Sequence, residues 1–83
     1  MSNIIYPKVN MNGDTKDKLR DQFGANVIQL NDAIHVLSSN MPNGRNYSRE
    51  EYREAREQYQ KHLDNLIDAR DYMMEIIEKI DEQ

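Results

Sequence analysis

Leu19, Phe23, Val27, Leu30, Ile34 and Leu37 follow one another at spacings of 4, 4, 3, 4 and 3, with polar residues filling most of the gaps. That spacing draws one apolar stripe and predicts a first helix over residues 14–39, capped by Asp14 or Thr15. Gly24 lies inside the pattern, where it costs about 1 kcal/mol relative to alanine and points to a close approach or a bend. A second pattern occupies residues 48–82. Tyr52, Tyr59, Leu66, Met73 and Ile80 stand seven apart, and Ala55, Leu63, Ala69, Ile76 and Ile77 fill the adjoining rows, giving a coiled-coil-like seam. Neither proline nor glycine interrupts it, so a helix of roughly 50 Å is expected at 1.5 Å per residue.

Residues 40–47 separate the two patterns. Asn40, Pro42, Asn43 and Gly44 stop the first helix, and Ser48 with Glu51 makes a capping box that starts the second. Residues 1–13 read as an extended arm, because Tyr6 precedes Pro7 and is pushed away from helical angles, and the run Asn10 to Asp14 is a turn cluster. The expected fold is all-α: one domain, an antiparallel helical hairpin with an N-terminal extended arm.

A tight return of the chain would put Leu37 beside Tyr52 and Leu19 beside Arg70. The last ten or so residues of the second helix would then have no partner, leaving Met73, Met74, Ile76, Ile77 and Ile80 facing water. An apolar patch of that kind calls for a covering surface, and Ile4, Ile5, Tyr6 and Val9 of the arm could supply it within the chain or on a neighbour. Size points the same way. An 83-residue chain buries only about 60% of its unfolded surface, and one without cysteine has no disulfide or thiolate metal site to staple it. A homo-oligomer of hairpins with arms in the subunit contacts is expected; a coiled-coil dimer through the second helix is the alternative.

Charge restricts the partners. The net charge of -4 argues against general DNA binding, and with no signal-type or membrane-spanning apolar run the chain is expected to be soluble, cytoplasmic and not membrane-bound. Residues 1–47 carry about +1, whereas residues 48–83 carry -5, so a small anion would be held by the first half.

Catalytic signatures are missing: there is no nucleophile with a base at readable spacing, no Gly-rich phosphate loop, no zinc motif and no Glu-x-x-His for a carboxylate di-metal bundle. The expectation is a protein that is not an enzyme and has no metal or cofactor. His62 lies on the apolar seam and is expected to be a core residue bonded to a neighbour. Glu50, Glu54 and Glu57 alternate with Arg49, Arg53, Arg56 and Lys61, the pattern of helix-surface ion pairs. What remains is binding chemistry. Tyr6 offers a face for a base, Lys8, Lys16, Lys18 and Arg20 lie within a few residues of the arm and first turn, and Arg45 offers a planar fork for a phosphate.

The order of these parts, an arm with Tyr6, an apolar helix ending in "VLSSNMPNGRNYS" and a returning helix, resembles the small phage anti-CBASS proteins. Their hairpin domain has a similar turn with proline, a small residue and Gly-Arg ahead of a serine-containing helix start, matched here by Pro42 to Arg45 and Ser48 within residues 15–75. The resemblance implies a helical hairpin assembled into a hexamer that sequesters cyclic di- and trinucleotide messengers without cleaving them, so that a host defence effector in the cytoplasm stays inactive. It further implies that Arg45 holds a phosphate, that Tyr6 stacks on a base, and that Lys18 is the helix-start lysine, with Lys8 and Lys16 as competitors. This chain departs from that pattern in Asn46, where the family usually has an acidic residue, and in the charged helix start "SREEYREAREQY". The rival expectation is an acidic helical module that docks on or inhibits a host protein.

Overall fold

The computed structural model describes residues 3–9 and 13–83; residues 10–12 of the expected turn cluster lie outside these. Helix α1, Lys16–Ser39, and helix α2, Arg49–Asp81, form where the apolar spacing placed them, and a single 3-10 turn, Gly44–Asn46, interrupts the link between them. Residues 3–9 run as an extended arm.

The helix ends are set by short-range chemistry. Thr15 rather than Asp14 caps α1, its Oγ1 accepting the Lys18 N–H at 3.2 Å, while Asp14 turns outward to the Lys18 ammonium at 3.5 Å. The far end of α1 has no basic residue to meet its orphan carbonyls. Ser39 Oγ donates to His35 O, Asn40 Nδ2 to Val36 O, and both the Asn40 N–H and the Tyr59 hydroxyl to Leu37 O. Helix α2 starts on Ser48, whose Oγ accepts the Glu51 N–H at 3.3 Å. The glutamate closes the box differently from expectation, taking the Ser48 hydroxyl proton on Oε1 at 2.9 Å. Ser48→Ala is expected to cost about 1 kcal/mol, seen as a fall in Tm of roughly 4–8 °C, with Ser48→Asp retaining most of the stability.

The pairing of the two helices corrects the expected register. Leu37 meets Tyr59 rather than Tyr52, Asn31 accepts from Arg70, and Leu19 packs on Ile76 and Ile80 instead of lying beside Arg70. The shift is seven residues of α2, two helical turns. Its cause is the link, which does not turn back tightly. Gly44 and Tyr47 lie against the ring of Tyr52, so residues 44–47 run beside the first turn of α2 and α1 begins to pair only further along. The stretch of α2 without a partner helix is therefore its start, not its end. Of the residues expected to face water, Ile76 and Ile80 are buried at 2% and 0% exposure, Met73 and Ile77 are half-buried, and only Met74 is exposed.

The arm completes that end. Ile4, Tyr6 and Val9, with Phe23 of α1, pack on the cluster of Leu19, Ile76 and Ile80. Gln83 ties the arm's backbone down, accepting the Val9 N–H on Oε1 and donating from Nε2 to Pro7 O, both at 2.8 Å. The arm thus covers Ile76 and Ile80 of its own chain, while Ile5, expected to share in that covering, points away from it and is 89% exposed. The only other buried hydrophobic residue among those described, Leu63, sits midway along the hairpin. The result is a rod of 57 by 25 by 16 Å in which four hydrophobic side chains among the described residues are buried. No described helix is long and apolar enough to cross a membrane.

Candidate ligand-binding site

Tyr6, Lys8 and Lys18 gather at the arm end of the rod. Tyr6 is half-buried against the Leu19 cluster, and the Lys8 ammonium lies 3.6 Å from the centre of its ring, a cation–π contact on an exposed lysine. The backbone on both sides of Lys8 is bonded to Gln83, so this pair is carried on a pinned segment. Lys18 stands in the first turn of α1, largely exposed and paired, among the described residues, with Asp14 alone.

The other cations of this end have structural partners. Lys16 Nζ donates to the Asp81 carbonyl at 3.2 Å, and Arg20 Nε meets the Asp81 carboxylate at 2.8 Å. Two positive groups of α1 therefore cap the C-terminus of α2, where the helix dipole favours them. The resemblance made Lys8 and Lys16 competitors of Lys18 for one role; the capping contact gives Lys16 a structural partner instead. The signal for this was present in the sequence only jointly, as a basic start of one helix and an acidic end of the other, and it needed the helix register to be read.

Arg45 is not brought to this group. It sits in the 3-10 turn, where its N–H donates to Asn43 Oδ1 at 3.0 Å and its guanidinium has no partner among the described residues. The turn lies against Tyr52, whereas the arm lies against Ile76, and the 24 residues between them in α2 correspond to about 36 Å. One chain therefore presents two separate cation-bearing ends, the arm with its aromatic ring and the turn with its free fork.

Two further expectations change. His62 is exposed, with no hydrogen bond among the described residues, and lines an apolar groove with Leu37, Tyr59, Leu63, Asn65 and Leu66 instead of being buried in a core. The seam continues past it as a half-open furrow because α1 covers only one side of α2 there. The ion pairs expected among Arg49, Glu50, Arg53, Glu54, Glu57 and Lys61 are likewise not closed to bonding distance; these residues are exposed, Arg49, Glu50, Arg53 and Glu54 lining a shallow hollow together, and Arg56 lies over the ring of Tyr52 at 5.8 Å. Among the described residues no group of three or more His, Asp or Glu side chains is placed to hold a metal ion. The site chemistry at both ends consists of cations and an aromatic ring. No family model, no curated protein and no solved structure matches this chain.

Proposed function

We propose that the protein captures cyclic di- or trinucleotides and withholds them without cleaving them, as the phage anti-CBASS proteins it resembles do, and that it works as a homo-oligomer, a hexamer if it follows that family. The observation that carries the reading is the Tyr6–Lys8 pair on a backbone pinned by Gln83. A base stacks on the Tyr6 ring in place of the Lys8 ammonium, and the displaced ammonium takes a phosphate oxygen, with the exposed Lys18 in the first turn of α1 as the candidate for a second. Each stack contributes about 1–3 kcal/mol and each charge-assisted phosphate bond about 1.5–3 kcal/mol, so submicromolar affinity requires two symmetry-related sets acting together at the upper end of these ranges. Arg45 takes part only if a neighbouring chain brings its turn to the arm, which is the structural reason for an oligomer in this reading.

Isothermal titration calorimetry against cyclic di- and trinucleotides, with linear dinucleotides as controls, tests the proposal. Submicromolar binding of cyclic species at fewer than one ligand per chain is expected. Tyr6→Leu, which keeps apolar contact with the Leu19 cluster, should lose roughly tenfold or more in affinity, while Tyr6→Phe retains it. Full affinity in a folded Tyr6→Leu protein removes the stacking basis, and absence of heat with every cyclic species overturns the reading.

A second reading rests on a separate observation. Glu50, Glu54, Glu57, Asp64 and Asp68 are all exposed along one face of α2, and none is in a direct ion pair among the described residues, so the helix presents a mainly acidic ridge with Lys61 within it. Docking of that ridge on a basic host protein is abolished by reversing these charges, a change that leaves nucleotide binding intact.

A further inference from the structure

Asn43 precedes Gly44 in the link between the helices, and both residues are exposed. The backbone at Asn43 is extended, with φ −102° and ψ 128°, and its side-chain Oδ1 accepts the Arg45 N–H at 3.0 Å. That bond folds the carboxamide back across the Gly44 peptide and draws electron density away from Cγ. The N–H of Gly44 itself has no hydrogen-bond partner among the described residues. A carbonyl carbon polarised by a fixed donor thus shares a turn with a backbone nitrogen that is free to attack it. Glycine adds access, because without a Cβ nothing on its own residue shields that nitrogen.

We propose that Asn43-Gly44 is a self-modifying site, at which the chain loses ammonia and, through a cyclic imide, gains a carboxylate. The Gly44 nitrogen gives its proton to water or hydroxide and adds to Cγ of Asn43, forming a Cγ–N bond while the Arg45 N–H holds the oxyanion that develops on Oδ1. The Cγ–Nδ2 bond then breaks, Nδ2 takes up a proton and leaves as ammonia, and a five-membered succinimide remains. Water opens the ring at one of its two carbonyls. Attack at Cγ gives aspartate at position 43, and attack at the backbone carbonyl gives an isoaspartyl link that runs through Cβ and Cγ. One water enters and one ammonia leaves, with no oxidant or cofactor.

Ring closure has to rotate ψ of Asn43 away from its extended value. The turn resists this weakly, because two backbone bonds hold it: Asn46 N–H to Asn43 O at 3.0 Å, and Tyr47 N–H to Gly44 O at 3.4 Å. The same pair inside α1 or α2 would be fixed by the continuous ladder of a long helix.

Conversion takes the net charge from -4 to -5 and sets a carboxylate two residues before Arg45, the cation of the turn. The isoaspartyl product also lengthens the main chain by one carbon in the link that lies against Tyr52 and sets the register of the helices. Tyr6 and Lys8 at the other end of the rod are untouched, so the inference is independent of ligand capture.

Tryptic digestion isolates the site. Asn43-Gly44 falls in peptide 21–45, whereas the other Asn-Gly pair, Asn12-Gly13, falls in peptide 9–16, and Asn12 lies outside the described residues. The purified chain, kept at neutral pH and body temperature for weeks, is expected to accumulate a peptide 21–45 heavier by about 1 Da, with fragment ions placing the gain at Asn43. Part of this product should accept label from an isoaspartyl methyltransferase. Gly44→Ala fits the fold, since its Cβ would meet the Tyr52 ring at an ordinary 3.6 Å, and it should slow conversion roughly tenfold or more. The folded chain should convert within about tenfold of the rate of the same chain in guanidinium chloride. Three outcomes overturn the proposal: protection of the folded chain beyond that range, Gly44→Ala of native helicity converting as fast as the parent, or a mass gain located at Asn26, Asn31 or Asn40 instead of Asn43.

Discussion

Ile80→Ala is expected to remove about 2–5 kcal/mol of stability, towards the upper end of that range. Ile80 is fully buried and is walled in by α1 through Leu19 and by the arm. The cavity left by a smaller side chain is enclosed by elements of fixed geometry, so it collapses poorly and the cost approaches its maximum. A chain of this length has a total stability of about 4–12 kcal/mol, so a third or more of it is at stake. The urea midpoint should fall accordingly, and exchange of the Val9 amide hydrogen should accelerate because the surface beneath the arm has been hollowed. A loss below about 1 kcal/mol, the range of an Ile→Val change, would mean that the arm does not seal this end in solution.

Leu63→Ala gives the second large effect, with a different magnitude for a physical reason. Leu63 is buried to 6% exposure, but it borders the open groove of Leu37, Tyr59, His62 and Leu66. These neighbours are free to close over the lost volume, so the expected cost lies near the lower limit, about 2 kcal/mol. Comparing the two variants by urea denaturation measures enclosure more than chemistry, since both delete apolar groups of similar size. Equal losses would show that something covers the groove, and the exposed His62 at its edge, in solution.

The two helices and their caps were legible because each depends on residues close in sequence: the 4-4-3-4-3 spacing of α1, the seven-residue spacing of α2, and Ser48 with Glu51. The register between the helices was not legible. It depends on how residues 40–48 lie against Tyr52, a contact with no periodicity to announce it, and a shift of two turns keeps every apolar stripe intact. A tight turn would leave the end of α2 bare and in need of a neighbour's arm, whereas the observed register brings Leu19 and the chain's own arm onto Ile76 and Ile80. Tyr6, Lys8 and Lys18 could be singled out by composition, but the separation of Lys16 and the distance to Arg45 required the pairing of Lys16 with Asp81 and the length of α2. Gly24 was visible as an anomaly in the pattern, and the close approach expected there is not made within the chain, since a Cβ at that position would meet no atom within 4 Å.

The bonds from Gln83 to Pro7 and Val9 span 76 and 74 residues, almost the whole chain. Closing a loop of that size costs conformational entropy before any contact rewards it, and the arm's apolar partners, Leu19, Ile76 and Ile80, come together only when the two helices have already paired. Arm docking must therefore be a late step in folding, following hairpin formation. A nascent or cleaved chain lacking the last turn of α2 has helices but no seat for Tyr6. Display of the aromatic ring is thereby conditional on a completed hairpin, and the arm acts as a proofreader of the fold that carries it.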